Sequence, residues 1–137
     1  LSQNDVILAF GDSLTVGVGV ANKHSYPSVL ARLSGFEIIS AGISGETTEE
    51  GLLRLPKAIE TYQPDLLILL EGGNDILRNK NAQTSKRNLE KMINIALDQD
   101  IQVVLLGVPS LASKAVPSVF IKIRVFVKVS SELLFIL

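Results

Sequence analysis

The 137-residue chain has no cysteine, no tryptophan, a single histidine and almost no excess of charge of either sign. Without thiols, a disulfide framework, a thiolate zinc site and a cysteine nucleophile are all excluded, although the compartment stays open because a large core needs no covalent staple. Thirteen Lys and Arg against 14 Asp and Glu leave a formal net charge of -1, so the composition favours neither a nucleic-acid backbone nor an anionic membrane. Apolar runs such as Leu66 to Leu70 and Leu133 to Leu137 fall well short of the roughly 20 residues that span a bilayer. Leu1 to Asp5 shows neither a basic start nor a long apolar stretch, which reads as a mature form or a fragment without a secretory signal. What the chain has is apolar content, 47% hydrophobic residues with a mean hydropathy of +0.35, enough for one domain with a real core.

Short runs rich in Leu and β-branched residues recur at Val6 to Phe10, Glu37 to Ser40, Leu66 to Leu70 and Val103 to Leu106, with helical segments between them. They are apolar on both faces, as parallel strands covered on each side should be. The fold expected is α/β: a three-layer, flavodoxin-like, mainly parallel sheet with helices on both faces and an atypical or incomplete C-terminal part. Ser25 announces the first long helix, with Pro27 in its first turn and Val29, Leu30 and Leu33 on one face. Thr47 and Glu50 have capping-box spacing, and the helix they start is expected to break and restart at Pro56. A third helix, from about Thr84 to Gln99, places Leu89, Met92, Ile93, Ala96 and Leu97 on one stripe.

The sign of the charge changes near Pro109. Residues 1–110 hold nine basic and thirteen acidic side chains, a sum of -4, whereas residues 111–137 hold four basic and one acidic, a sum of +3. In the second stretch Ile121, Ile123, Val125, Val127 and Val129 alternate with Lys122, Arg124, Phe126 and Lys128, a half-buried strand pattern where a helix is due. The division expected is therefore a core over 1–110 and an atypical apolar, basic tail over 111–137. That tail is either an edge strand guarded by its lysines or, by slight preference, a segment alien to the domain.

In such a sheet, ligands bind beyond the carboxyl ends of the strands, where βα loops converge. Gly11-Asp12-Ser13-Leu14, Ala41-Gly42-Ile43-Ser44-Gly45-Glu46-Thr47 and Gly72-Gly73-Asn74-Asp75 follow the first three strands and should meet at one rim. Ser13 has the exposure a nucleophile needs. A glycine N–H at Gly45 and the carboxamide of Asn74 are donors of the kind that stabilise a developing oxyanion.

These three blocks resemble the SGNH, or GDSL, hydrolase family, in particular its bacterial lysophospholipase, arylesterase and acyl-thioesterase branch. The resemblance covers about the first 110 residues, including Leu53-Arg54-Leu55-Pro56 and Gly107-Val108-Pro109. It implies hydrolysis of carboxylic esters or thioesters through Ser13. The oxyanion hole would be made by the Ser13 and Gly45 N–H groups with the Asn74 side chain, and Asp12 would support them. It also implies no cofactor, a small acyl ester or lysophospholipid as substrate, an acyl chain in an apolar groove along the rim, and a periplasmic or secreted location.

One family block is missing. Base and orienting acid belong to an Asp-x-x-His motif near the C-terminus, and these 137 residues contain none. A serine hydroxyl is a weak nucleophile without a base, and the lone histidine, His24, reads as a solvated loop residue. The expectation is an impaired catalyst or, alternatively, a non-catalytic acyl-binding module. The glycines give neither dinucleotide nor nucleoside-triphosphate spacing, and Thr15 breaks the Gly-x-Ser-x-Gly elbow. Asp12, Glu46, Glu71 and Asp75 offer carboxylates for Mg2+, but structural roles suffice for them and no metal is expected.

Overall fold

A computed structural model describes residues 1–108, 123–129 and 132–136. Elements follow in the order β1 (Val6–Gly11), α1 (Ser13–Val16), a 3-10 turn (Asn22–His24), α2 (Tyr26–Ser34), β2 (Glu37–Gly42), α3 (Thr48–Tyr62), β3 (Leu66–Leu70), α4 (Gly73–Leu77), α5 (Ala82–Leu97), β4 (Gln102–Leu106), β5 (Ile123–Val129) and β6 (Glu132–Ile136). The strands form one sheet in the order β2-β1-β3-β4-β5-β6, the first four parallel and the last two antiparallel. Order 2-1-3-4 is the flavodoxin-type arrangement, with its reversal point between β1 and β3.

Both faces of the sheet are covered. Leu8, Phe10, Leu67, Leu69 and Val103 point to one side and pack on Leu55 and Ile59 of α3 and on Met92, Ile93 and Ala96 of α5. Ile7, Leu66 and Ile68 point to the other side and meet Tyr26 and Leu30 of α2. The face of α2 differs from the one expected, because Tyr26 and Leu30, one turn apart, hold the sheet while Leu33 falls beyond them and is 77% exposed. Tyr26 can occupy this position because its hydroxyl finds Thr15 Oγ1 at 3.1 Å.

Helix α3 opens on the expected capping box, Thr47 bonding the Glu50 N–H and Glu50 reaching back to the Thr47 N–H. The expected break at Pro56 does not occur: α3 runs unbroken to Tyr62. Pro56 lies on the exposed side, where water can reach the carbonyl that proline leaves without a donor, and buried Leu55, Ala58 and Ile59 hold both flanks to the sheet. Helix α5 starts two residues earlier than read, since the Asn81 side chain accepts from the Gln83 and Thr84 N–H groups.

The alternating segment is a strand, as its pattern says, running antiparallel to β4 with Val104 opposite Val125. It does not form the edge, because β6 pairs along its other side. Much of the charge reversal near Pro109, together with Ile121 and Lys122, lies outside the described residues.

Candidate active site

Strand β1 delivers Ser13 to the rim through a turn with almost no spare space. A Cβ on Gly11 would collide with the Leu70 carbonyl and the Thr15 hydroxyl. The Asp12 carboxylate then caps α1, accepting from the Leu14 N–H at 2.9 Å, and its carbonyl accepts from Thr15 and Val16, each at 3.1 Å. Ser13 is thereby the first residue of a one-turn helix, half-buried at the mouth of a cleft. Burial raises the pKa of the Asp12 carboxyl, the Leu14 N–H opposes that rise, and the nearby Glu46 charge adds to it. The Tyr26 hydroxyl behind Thr15 is pushed up to about 12, chiefly by burial.

Strand β3 delivers Asn74. Gly72 adopts φ +112, a left-handed backbone that glycine takes readily, and a Cβ on Gly73 would stand 3.3 Å from Asp12 Oδ2. This close approach brings Asn74 Nδ2 within 3.4 Å of Asp12 Oδ2 and lets it donate to the Glu46 carbonyl at 2.9 Å. Ser13 and Asn74 line one cavity of about 190 Å³ together with Asp12, Leu14, Leu77 and Val108. It lies where the strand order reverses, the place expected for a ligand in this architecture.

Gly45 does not line that cavity. Its loop is nonetheless fastened to both of the others: Ile43 N–H donates to the Gly11 carbonyl at 2.9 Å, and Arg78, at the end of α4, donates to the Gly45 carbonyl at 2.9 Å. At φ +80, Gly45 turns in a region that costs other residues strain.

Beneath the loops lies a charged layer. Arg54 donates to both Glu46 oxygens, at 2.7 and 2.6 Å, and to the Ala41 carbonyl at 2.9 Å, with its guanidinium 3.9 Å from the centre of the Phe10 ring. Glu71 is buried beside Glu46, and among the described residues no N–H or hydroxyl donates to either of its oxygens. Burial first, then a hydrogen bond that the protonated carboxyl can give to Glu46, then the Glu46 and Asp12 charges, push its pKa up to about 10 against the opposing pull of Arg54. Asp75 is buried too, which alone would raise its pKa. Hydrogen bonds from Ser85 Oγ (2.5 Å), Thr48 Oγ1 (2.5 Å) and the Thr48 N–H (2.8 Å) reverse that and hold it below the usual carboxylate range. Of the four carboxylates weighed as Mg2+ ligands, Asp12 caps a helix, Glu46 is held in an ion pair and Asp75 in a hydrogen-bond network, while Glu71 is buried beside them with no donor among the described residues. Among the described residues no group of three or more acidic or histidine side chains could hold a metal ion.

His24 is exposed on the 3-10 turn and does not line the Ser13 cavity. A second, mostly apolar cavity of about 320 Å³ adjoins the first, sharing Ile76 and Val108 and adding Leu89, Leu105 and Leu106. Arg54 stands in the sequence only as part of the Leu53-Arg54-Leu55-Pro56 block, and Arg78 carries no motif. Nothing in the spacing of either announces its partner: Arg54 reaches back to the Glu46 carboxylate and the Ala41 carbonyl, and Arg78 to the Gly45 carbonyl, contacts that exist only once the loop between β2 and α3 is folded.

Comparison with known proteins agrees with this geometry. A family profile described as GDSL-like lipase/acylhydrolase matches residues 9–125, running past Pro109, where the sequence reading ends the resemblance. An arylesterase from Vibrio mimicus is 34% identical over 110 residues, 77% of this chain and 55% of that protein. The Escherichia coli K12 protein named thioesterase 1/protease 1/lysophospholipase L1 is 33% identical over 91 residues, 65% of this chain and 44% of that protein. The chain therefore spans about half the length of these curated relatives. Among solved structures, the SGNH-hydrolase family esterase AlinE4 superposes with a TM-score of 0.73 at 36% identity, covering 80% of this chain and 62% of AlinE4.

Proposed function

The chain belongs to the GDSL-like lipase/acylhydrolase family, and from that membership we propose that it is built as a serine hydrolase of carboxylic esters or thioesters, with Ser13 as nucleophile. The observation that carries this reading is the cleft lined by both Ser13 and Asn74, 61 residues apart in the sequence. In the reaction, the Ser13 hydroxyl attacks the carbonyl carbon, and the oxyanion that forms takes hydrogen bonds from Asn74 Nδ2 and the Ser13 N–H, both at the cavity. The Gly45 N–H, outside the cavity lining but beside the Glu46 carbonyl that Asn74 holds, is the third donor. Collapse of the oxyanion breaks the ester C–O or thioester C–S bond, and the alcohol or thiol leaves carrying the proton that Ser13 gave up. Water then attacks the acyl-enzyme to release the carboxylic acid and restore the Ser13 hydroxyl. The adjoining cavity has the apolar lining that an acyl chain requires.

Among the described residues no histidine lines the Ser13 cavity to take the serine proton. His24 lies away from the cleft and these residues contain no Asp-x-x-His, so the 137-residue chain turns over slowly, with the rate that oxyanion stabilisation alone supports. Hydrolysis of p-nitrophenyl butyrate tests this. Slow release that disappears in Ser13→Ala, with labelling of Ser13 by a fluorophosphonate, is expected; equal release by the Ser13→Ala variant overturns the reading. The position of His24 also favours a second reading, a non-catalytic acyl-binding module. Tight fatty-acid binding with neither product burst nor labelling would select it.

A further inference from the structure

Twelve large apolar side chains are exposed among the described residues, and seven of them come from the three loops around the Ser13 cleft. Leu14, Val16, Val18 and Val20 follow β1, Ile43 follows β2, and Ile76 and Leu77 follow β3, with exposures from 37% to 68%. The stretch after β1 alternates valine with glycine, and Gly17 and Gly19 both have positive φ. A Cβ on Gly19 would meet nothing within 4 Å, so the tip carrying Val18 and Val20 stands clear of the domain. A Cβ on Gly42 would lie 2.9 Å from Val16 Cγ2, which brings the Ile43 loop beside this tip. On the other side of the cleft mouth, Leu14, Ile76 and Leu77 share the lining of the Ser13 cavity. Isolated exposed leucines are ordinary on a protein surface, but a concentration around one opening marks an interaction site.

We infer that this rim docks on a zwitterionic phospholipid surface, with the Ser13 cleft facing the lipid. The partner follows from shape and charge. The seven side chains, from three connections, ring one small opening rather than line a long groove for a helix or strand, and they can enter the disordered boundary between headgroups and acyl chains. The exposed charges beside them nearly cancel: Lys23, Arg78 and Lys80 stand against Glu49 and Glu50, and Lys80 is 3.7 Å from Glu49. Such a rim has little to gain from an anionic surface, whereas the long Lys and Arg stems can lie along the interface with their heads in water. Docking would present an ester from the lipid directly to the cleft without its acyl chain crossing water. The inference deepens the acyl-ester reading by naming how the substrate is presented, yet binding can be measured with no turnover.

The test is flotation of the whole chain with phosphatidylcholine vesicles. Wild type and Ser13→Ala are expected to float alike, so failure of the hydrolase reading leaves this result standing. The double variant Val18→Asp/Val20→Asp should partition about tenfold more weakly or worse. Ile43→Asp, on a separate loop, should weaken binding independently should the double variant misfold. Leu33→Asp/Tyr62→Asp, at exposed side chains in the last turns of α2 and α3, at the opposite end of the sheet from the rim, should float like wild type. Wild type remaining in the buffer, equal losses from the Leu33/Tyr62 pair, or binding only when phosphatidylserine is added would each overturn the proposal. So would a concentration-dependent dimer that the Val18/Val20 variant abolishes, since a second copy would then cover the rim.

Discussion

Arg54 grips Glu46 with two hydrogen bonds, 2.7 and 2.6 Å long, from a position eight residues further along the chain and on a different element. The same guanidinium holds the Ala41 carbonyl, so one side chain on α3 fastens both ends of the loop that carries Gly45. The Glu46 carbonyl in turn receives the Asn74 amide. Arg54 therefore sets, through backbone, where two of the three proposed oxyanion donors stand relative to each other.

Removing that side chain should be expensive. Arg54→Ala leaves the Glu46 carboxylate, only 4% exposed, buried without its cation, and loss of one partner of such a pair typically costs about 3 to 5 kcal/mol. Urea unfolding of Arg54→Ala should show a loss of that order. Arg54→Lys should recover part of it, since a single ammonium cannot reproduce the two-pronged contact. Equal stability of wild type and Arg54→Ala would mean that Glu46 finds another partner or water.

The Asn74 amide is proposed to act only when negative charge develops on the substrate oxygen. Asn74→Ala should therefore lower the Ser13-dependent release of p-nitrophenol by about 100-fold while leaving KM nearly unchanged. Thermal unfolding of the same variant should fall only modestly, because the lost contacts are one good hydrogen bond to Glu46 and one long one to Asp12. A change confined to KM would assign Asn74 to substrate binding instead.

Legibility in the sequence followed the reach of each interaction. Leu66 to Leu70 reads as a strand because a strand buried on both faces must be apolar throughout, and the capping box at Thr47 reads correctly because its partners are three residues apart. Ser13 and Asn74 were readable as rim residues because each follows a strand. Leu33 misleads because a helix pattern names a stripe without saying how far along it the sheet extends. Arg54, Arg78 and the Thr48–Asp75–Ser85 network remained hidden, since their partners are fixed only once loops distant in sequence converge. The direction of β5 was equally hidden: its alternation describes two faces, and pairing direction depends on the connection from β4.

Pro56 offers a stabilising substitution. Within a helix interior proline is about 3 kcal/mol worse than alanine, and the stiffness it gives the unfolded chain returns about 1 kcal/mol at most. With Pro56 exposed and α3 continuous around it, Pro56→Ala should restore a hydrogen bond to the Leu52 carbonyl and raise stability by about 1 to 2 kcal/mol in urea unfolding. A loss of stability would show that the ring packs against a neighbour whose contact outweighs that hydrogen bond.

Glu71 should make stability fall as pH rises. In the fold its carboxyl keeps its proton up to about pH 10, whereas in the unfolded chain it releases it near the ordinary value of 4.5. Between those limits the unfolded state binds fewer protons than the native state, so each pH unit removes up to about 1.4 kcal/mol of stability. Below about 4.5 both states are protonated and the penalty is absent; above about 10 both are ionised and it grows no further. Glu71→Gln carries a neutral group of the same shape and cannot ionise. Its advantage over wild type in urea unfolding should therefore be small at pH 4 and widen steadily through pH 7 to pH 9, reaching about 3 kcal/mol near neutrality. A difference that stays constant across this range would mean that Glu71 is ionised in the folded protein and that Arg54 is shared between two carboxylates rather than held by Glu46.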